Sequence, residues 1–497
     1  MTTSLNAERR ARDIAAIAET PVDVLVVGGG VTGAGVALDA ASRGLSVALI
    51  EAHDLAFGTS RWSSKLIHGG LRYLAHGDVA LAYESAVERG IAMTRTAPHL
   101  TRTLPQLIPL HDTVSRGHEL FTHTGLHAGD LLRRFARTPG ALLPRPRRVP
   151  AAEALALAPM LKRDGLRGGL LSYDGQLIDD ARFVVALART AAGMGARIIT
   201  RAKALGLERN SAQVLDTITG EQFEIQARRV VNATGVWAGS LVPSVKLRPS
   251  RGSHVVIAGD GFTGTSLTVP IPGTSNRFVI VLPQVDGRVY VGLTDEPVDE
   301  IPDVPTAPQS DVDFLLDVAS SVLERRLTND DVIGTYAGLR PLLEADGASA
   351  DLSRKHAVLT APNGVLTIVG GKLTTYRRMA ADAVDATGLV TSPSRTDKIP
   401  LVGAASRAEL ARLDAPARLV AKYGTEAVAV AQGDPEQLHP QLTMAEVAWA
   451  VEHEGALDVD DVLHRRTRIG LVDAEAVRLS RELGRLWPGS PTVRSPP

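Results

Sequence analysis

Apolar positions along the chain follow two rhythms. The runs VDVLVV (Val22–Val27) and LSVALIE (residues 45–51) are rich in β-branched residues and show little polar alternation. That pattern predicts strands buried on both faces of a parallel sheet. Between them stand GGGVTGAG and the alanine-rich VALDAASRG, which predict a glycine turn and a helix stopped at Gly44. The three pieces make a βαβ unit, the connection that builds parallel sheets. RRVVNATGVWAG (228–239) repeats the strand and glycine turn, and GVLTIVGGKLTTYRRMAADAVDA (364–386) adds a helix. YDGQLIDDARFVVALARTAAGMGARIIT (173–200) predicts a turn, a helix and a strand.

The rest of the chain differs in rhythm. Residues 80–98 predict a helix, LPQLIPL (104–110) a strand, and helices with loops extend to about residue 159. HVVIA, SLTVPI, RFVIVLP and RVYVGL then predict antiparallel strands separated by turns. Residues 296–308, rich in proline and aspartate, predict a loop, and SPSRTDKIP (392–400) a linker. Beyond residue 401 the pattern is mostly helical. The expected class is therefore α/β. A Rossmann-type dinucleotide-binding domain is assembled from residues 20–95, 165–245 and 335–390. An antiparallel β-sheet substrate or cap domain takes 96–164 and 246–334, and a helical domain takes 398–497.

Composition narrows this picture little. At 497 residues, two or three domains are expected. A formal net charge of −1 gives no reason to expect a nucleic-acid partner. Cysteine is absent, which excludes disulfides, thiolate metal sites and a cysteine nucleophile. The N-terminal MTTSLNAERRARDIAAIAETP has no continuous apolar core, so it does not read as a secretory signal. The spacing of Ile14 and Ile17 predicts a short amphipathic helix instead. No run of about 18 apolar residues is present, so a spanning helix is not expected, whereas lying on a membrane surface is compatible with the sequence.

The chemistry begins at Gly28-x-Gly30-x-x-Gly33, which follows a strand and opens a helix. Gly28 permits the tight turn, Gly30 lets the backbone approach a pyrophosphate, and Gly33 lets the helix pack on the sheet. The helix N-terminus presents N–H groups to phosphate. Glu51 closes the next strand, placed to accept hydrogen bonds from ribose hydroxyls. The motif alone does not choose between NAD and FAD; the two distant strand–glycine units favour FAD, because a flavin ring needs protein around it as well as around its pyrophosphate.

FGTSRWSSKLIHGGLRYL (57–74), NATGVWAG, GLRPL and IVGGKLTTYRR together resemble the FAD-dependent glycerol-3-phosphate dehydrogenases, within the D-amino-acid-oxidase-like flavoproteins. The likeness spans residue 22 to the C-terminus, where AEVAWAVEHEGALDVDDVLHRRTRIGL resembles that family's helical domain. It implies oxidation of sn-glycerol 3-phosphate to dihydroxyacetone phosphate, with electrons passed to a quinone from a protein resting on the inner face of the cytoplasmic membrane. A homodimer is also compatible with it. For substrate it implies Arg72, Tyr73, Arg340, Arg354 and Lys372, with Lys355 as a rival to Arg354. For FAD it implies, besides the fingerprint, Val31, Thr32, Thr59, Ser60, Ser63, Ser64, Lys65, Leu66, His68 and Gly70 from the first half. Ala233, Gly235, Gly371, Lys372, Leu373 and Thr374 follow from the second.

Fixed cations suit a dianionic phosphate, and arginine adds planar bidentate donors. The 2-hydroxyl must lose a proton, which arginine cannot accept at neutral pH. A histidine can. His254 is expected to be the base and His68 to position the ring, with Arg340 and Lys372 beside the reacting carbon. The family commonly has small residues where Arg61-Trp62 stand; Trp62 either stacks on the cofactor or fills space. The carboxylates of HEGALDVDDVL read as acidic helix starts, so no metal site is expected. RRFARTPGALLPRPRR (133–148) holds six arginines without an acid, a solvated loop or a contact with anionic lipid. The alternatives are a glycerol-3-phosphate oxidase using oxygen, an amine or amino-acid oxidase of the same fold, and a non-catalytic flavin-binding module.

Overall fold

The fold is that of a computed structural model, which describes residues 2–75, 77–112, 114–274, 277–344 and 355–487, apart from the side chains of Arg72 and Ala75. Five parallel strands run in the order Leu366–Val369, Gln222–Asn232, Val22–Val27, Val47–Ile50 and Arg197–Ile199, with Ala357–Thr360 antiparallel at one edge. Val26 lies beside both Val231 and Leu49. The loops after Val27, Ile50, Asn232 and Val369 therefore leave the sheet at one end, where parallel sheets bind ligands. Val24, Leu25 and Val26 are wholly buried, as their unalternating pattern predicts. The helix Val31–Ser42 packs between Asp180–Gly193 and Tyr376–Ala386 on one face of this sheet.

A second, larger sheet is mostly antiparallel. Ser250–Ala258 pairs with both Arg288–Gly292 and Val332–Arg340, and the sheet continues through Phe278–Pro283, Ser266–Pro270, Thr101–His111 and Leu166–Leu177 to Leu66–Ile67. Three segments grouped above with the dinucleotide-binding unit thus pair here, Leu66–Ile67 among them. Residues 173–177, expected as a turn, complete the strand Leu166–Leu177, because Tyr173 and Asp174 face Pro105 and Leu104 across the ladder. Val332–Arg340 is a strand that carries Arg340 at its end. The short strand Leu66–Ile67 brings the residues after Thr59 to the junction of the two sheets.

The C-terminal region is built from short helices and is clasped to the rest by buried ion pairs. Arg465 and Arg466 both hold Asp54, and Arg182 holds Glu454 at 2.7 and 2.8 Å. Burial alone raises the Glu454 pKa, but Arg182 outweighs it and brings the value from the usual 4.5 to about 2. A carboxyl depressed on folding stabilises the fold above its unfolded pKa, and that contribution is lost as pH falls through the folded value. Glu454→Gln is therefore expected to be less stable than wild type near neutrality. The difference in urea midpoints should close between about pH 4.5 and 2.

Candidate active site

The loops at the sheet end and the junction with the larger sheet enclose one cavity of about 2030 Å³. Gly28, Gly30, Val31, Thr32, Glu51, Thr59 and Ser60 line one part of it. Gly28 has φ of +109°, and a Cβ there would meet the Ala233 carbonyl oxygen at 2.7 Å. Gly33 does not face the cavity; a Cβ on it would lie 1.9 Å from the Gly28 oxygen, so glycine is what brings helix and turn together. The helix begins at Gly30 without a side-chain cap on that residue, while Ser60 Oγ accepts from the Val31 N–H at 2.9 Å. Glu51 accepts from the backbone N–H groups of Gly29 (2.6 Å) and His53 (2.9 Å), which fixes its carboxylate at the strand end. Burial pushes the Glu51 pKa up, against those two hydrogen bonds. A glycine cradle at a helix start, with an acid one strand away, fits the pyrophosphate and ribose of a dinucleotide.

The other part of the cavity gathers residues from the segment after Thr59 and from the second half of the chain. Ser63, Ser64, Leu66, His68, Tyr73, Ala233, Gly235, His254, Arg340, Gly371, Lys372, Leu373 and Thr374 all line it. His254 is 2% exposed; its Nε2 lies 2.8 Å from Ser64 Oγ, and its ring stacks on Tyr336 with centroids 4.5 Å apart. Burial pushes its pKa down to about 3, helped by the nearby charges of Lys65 and Arg340. The imidazole is thus neutral at physiological pH, and the same burial makes it a weaker base than a free histidine. His68 Nδ1 accepts from the Gly70 N–H, and the His68 backbone N–H donates to Thr374 Oγ1, both at 3.2 Å. Gly70 takes φ of +75°, the left-handed turn that aims this segment.

Lys372 donates to Ser85 Oγ at 2.8 Å and stands 3.7 Å from the centroid of the Tyr73 ring. Arg340 donates to Asp295 Oδ1 at 2.9 Å and to the Thr294 carbonyl at 3.1 Å. Arg72 falls in the short helix Leu71–Ala75, but its side chain, and all of Arg354, lie outside the described residues. Lys355 pairs with Asp78 at 3.2 Å.

Lys65 departs from expectation. It does not line the cavity; its ammonium is buried beneath it, 3.2 Å from both oxygens of Asp180 and over the rings of Tyr290 and Tyr336. Burial lowers its pKa and Asp180 opposes that shift. Asp180 also accepts from the Ser63 hydroxyl at 2.7 Å and from Arg468, so the floor is one buried network. The Lys65 ammonium is therefore committed to Asp180 rather than offered to a cofactor phosphate. Trp62 is largely buried against Tyr336, with Arg61 over its face, and fills space at the cavity edge. Asp174, which accepts from the Gly69 N–H (3.1 Å) and from Arg89 (2.6 Å), is a further buried support that the sequence did not single out.

Residues 23–377 match the family model described as FAD dependent oxidoreductase, and residues 394–482 match the C-terminal domain of alpha-glycerophosphate oxidase. Glycerol-3-phosphate dehydrogenase 1 of Mycobacterium tuberculosis is 51% identical over 96% of this chain and 97% of its own. The aerobic glycerol-3-phosphate dehydrogenase of Staphylococcus aureus is 33% identical over 90% of this chain and 86% of its own. Among solved structures, the Bacillus halodurans glycerol-3-phosphate dehydrogenase complexed with FAD superposes with a TM-score of 0.77 at 27% identity, covering 97% of this chain and 93% of that one. With its cradle, its two sheets and its helical domain, the chain belongs to the FAD-dependent glycerol-3-phosphate dehydrogenases.

Proposed function

We propose that this protein oxidises sn-glycerol 3-phosphate to dihydroxyacetone phosphate and passes the electrons to a membrane quinone, working from the inner face of the cytoplasmic membrane. The observation that carries the reading is the meeting of Tyr73, His254, Arg340 and Lys372, far apart in sequence, in the same cavity as the dinucleotide cradle. FAD, when bound, supplies the hydride acceptor. The glycines at Gly28 and Gly30 and the helix start at Val31 hold its pyrophosphate, and Glu51 its ribose. Val31, Thr32, Thr59, Ser60, Ser63, Ser64, Leu66, Ala233, Gly235, Leu373 and Thr374 line the same cavity and would surround the FAD.

Arg340 and Lys372 hold the substrate's phosphate and hydroxyls, assisted by Tyr73 and, on the family likeness, by Arg72 and Arg354. Two fixed cations in one cavity suit a dianion better than the single carboxylate of an amino acid, which favours this substrate over an amine or amino-acid oxidase reaction. His254 accepts the proton of the 2-hydroxyl in its neutral form, and His68 positions the flavin ring. Among the described residues no helix is long and apolar enough to cross a membrane, so the proposed membrane contact is peripheral.

The test is anaerobic. Glycerol 3-phosphate is expected to bleach the bound flavin, whereas glycerol and D-amino acids are not. Reoxidation by a menaquinone analogue should then outpace reoxidation by oxygen. Fast reoxidation by oxygen alone would make the protein an oxidase, and no bleaching would remove the activity altogether.

A further inference from the structure

The helix Arg116–Phe135 carries more exposed apolar surface than its neighbours. Leu120 is 66% exposed, Phe121 56%, Leu131 50% and Phe135 63%. Thr124, Ala128 and Gly117 are exposed as well. At 3.6 residues per turn these seven positions fall within one arc of about 100°. The opposite side, Leu126, Asp130 and Arg133, is buried against the protein, so the helix is fixed in orientation and its apolar arc is turned outward. A contiguous outward apolar stripe of this kind on a folded protein marks a contact surface.

Charge selects the partner. Arg116 and Arg134, with His127, border one edge of the arc and are exposed. The chain leaving the helix adds Arg137 and Arg145, also exposed. Among the described residues no carboxylate lies within 4 Å of Arg116, Arg137 or Arg145, whereas Arg147 and Arg148 are neutralised by Glu153 and Glu119. Arg134 pairs with Asp130 at 3.1 Å, so the uncompensated charge comes from Arg116 at the edge of the arc and from Arg137 and Arg145 in the chain beyond it. An apolar arc with such arginines beside it is complementary to an anionic bilayer surface. A protein partner would have to match the same mixture residue by residue.

The same helix is also part of the cavity wall. His118, Thr122, Gly125 and Leu126 line it, and so do Phe121, Thr124 and Ala128 of the exposed arc, which places one edge of the arc at the cavity rim. We propose that the exposed arc of Arg116–Phe135 seats in the headgroup region of an anionic membrane, with Arg116, Arg137 and Arg145 on its phosphates, and sets the rim of the active-site cavity against the bilayer. The proposal rests on the membrane-linked activity set out above and names the surface that makes the contact.

The test uses the flavin-loaded full chain and sedimentation with vesicles of phosphatidylcholine, alone or mixed with phosphatidylglycerol. Wild type is expected to sediment with the mixed vesicles and much less with the neutral ones. The triple variant Leu120→Ser/Leu131→Ser/Phe135→Ser should lose at least about tenfold in affinity. Arg116→Gln/Arg137→Gln/Arg145→Gln should lose its preference for anionic vesicles. Reduction of the flavin by glycerol 3-phosphate in solution should be unchanged in both, since none of the six residues lines the cavity. Vesicle binding that survives both triple variants overturns the proposal while leaving the enzymatic reading intact. So does a wild type that ignores vesicles; if it also self-associates in solution and the apolar variant abolishes that, the arc is a self-association surface. Unbleached flavin in the wild type is instead a failure of the enzymatic reading, and it leaves the sedimentation result free to decide the surface.

Discussion

Replacing His254 with asparagine is expected to slow the reduction of bound flavin by glycerol 3-phosphate by about 10²–10⁴-fold, the range for loss of a general base. The amide can still reach Ser64, which lies 2.8 Å from the imidazole, so the wall of the cavity is kept. KM should change by only a few fold and flavin content not at all. The pH dependence adds a second readout. A histidine whose pKa is lowered is neutral above the lowered value and charged only below it. Burial takes His254 to about 3, so the wild-type rate should show no limb near the ordinary histidine pKa arising from this residue. Rapid-reaction spectroscopy of wild type and His254→Asn across pH decides the matter. A variant that keeps the wild-type rate shows that the proton leaves by another route.

Arg340→Ala is expected to lower kcat/KM by about a thousandfold. Truncating one partner of a part-buried, hydrogen-bonded charge pair costs about 2–5 kcal/mol, and each 1.4 kcal/mol is tenfold. Two losses combine: the guanidinium that reaches the substrate, and the counterion of Asp295, which Arg340 holds at 2.9 Å. Arg340→Lys separates them, because it restores charge beside Asp295 without the planar fork. Intermediate recovery is expected in the lysine variant. Alanine and lysine variants within about threefold of wild type in kcat/KM, with normal flavin content, would confine Arg340 to holding Asp295.

The parts of this site that were legible in the sequence are the ones set by local spacing. Gly28, Gly30, Gly33 and Glu51 are separated by a strand, a turn and a helix whose lengths are fixed by geometry, so their meeting follows from counting residues. The convergence of His254, Arg340 and Lys372 has no such local rule. Arg340 and Lys372 came from the likeness of GLRPL and GGKLTT to a family and His254 from the need for a titratable base, and the fold accounts for their meeting: Ser250–Ala258 and Val332–Arg340 are adjacent strands, and Lys372 follows the strand Leu366–Val369. Lys65 was misread because its partner is 115 residues away. Nothing in SSKLIHGG distinguishes an ammonium aimed at a phosphate from one drawn down to Asp180. Residues 173–177 misled for a related reason: Tyr-Asp-Gly has turn chemistry, and pairing with Thr101–His111 overrides it.

The clasp between the C-terminal helices and the rest of the molecule bears on whether the two can be parted. Arg465 and Arg466 close on Asp54, and Arg468 on Asp179 and Asp180, directly under the residues that hold His254. Cutting the chain near residue 398 would remove the arginine partners of Asp54 and Asp179 and leave Asp180 with Lys65 alone. In this chain the helical tail is thus tied into the base of the flavin fold, and the two share one set of buried charges.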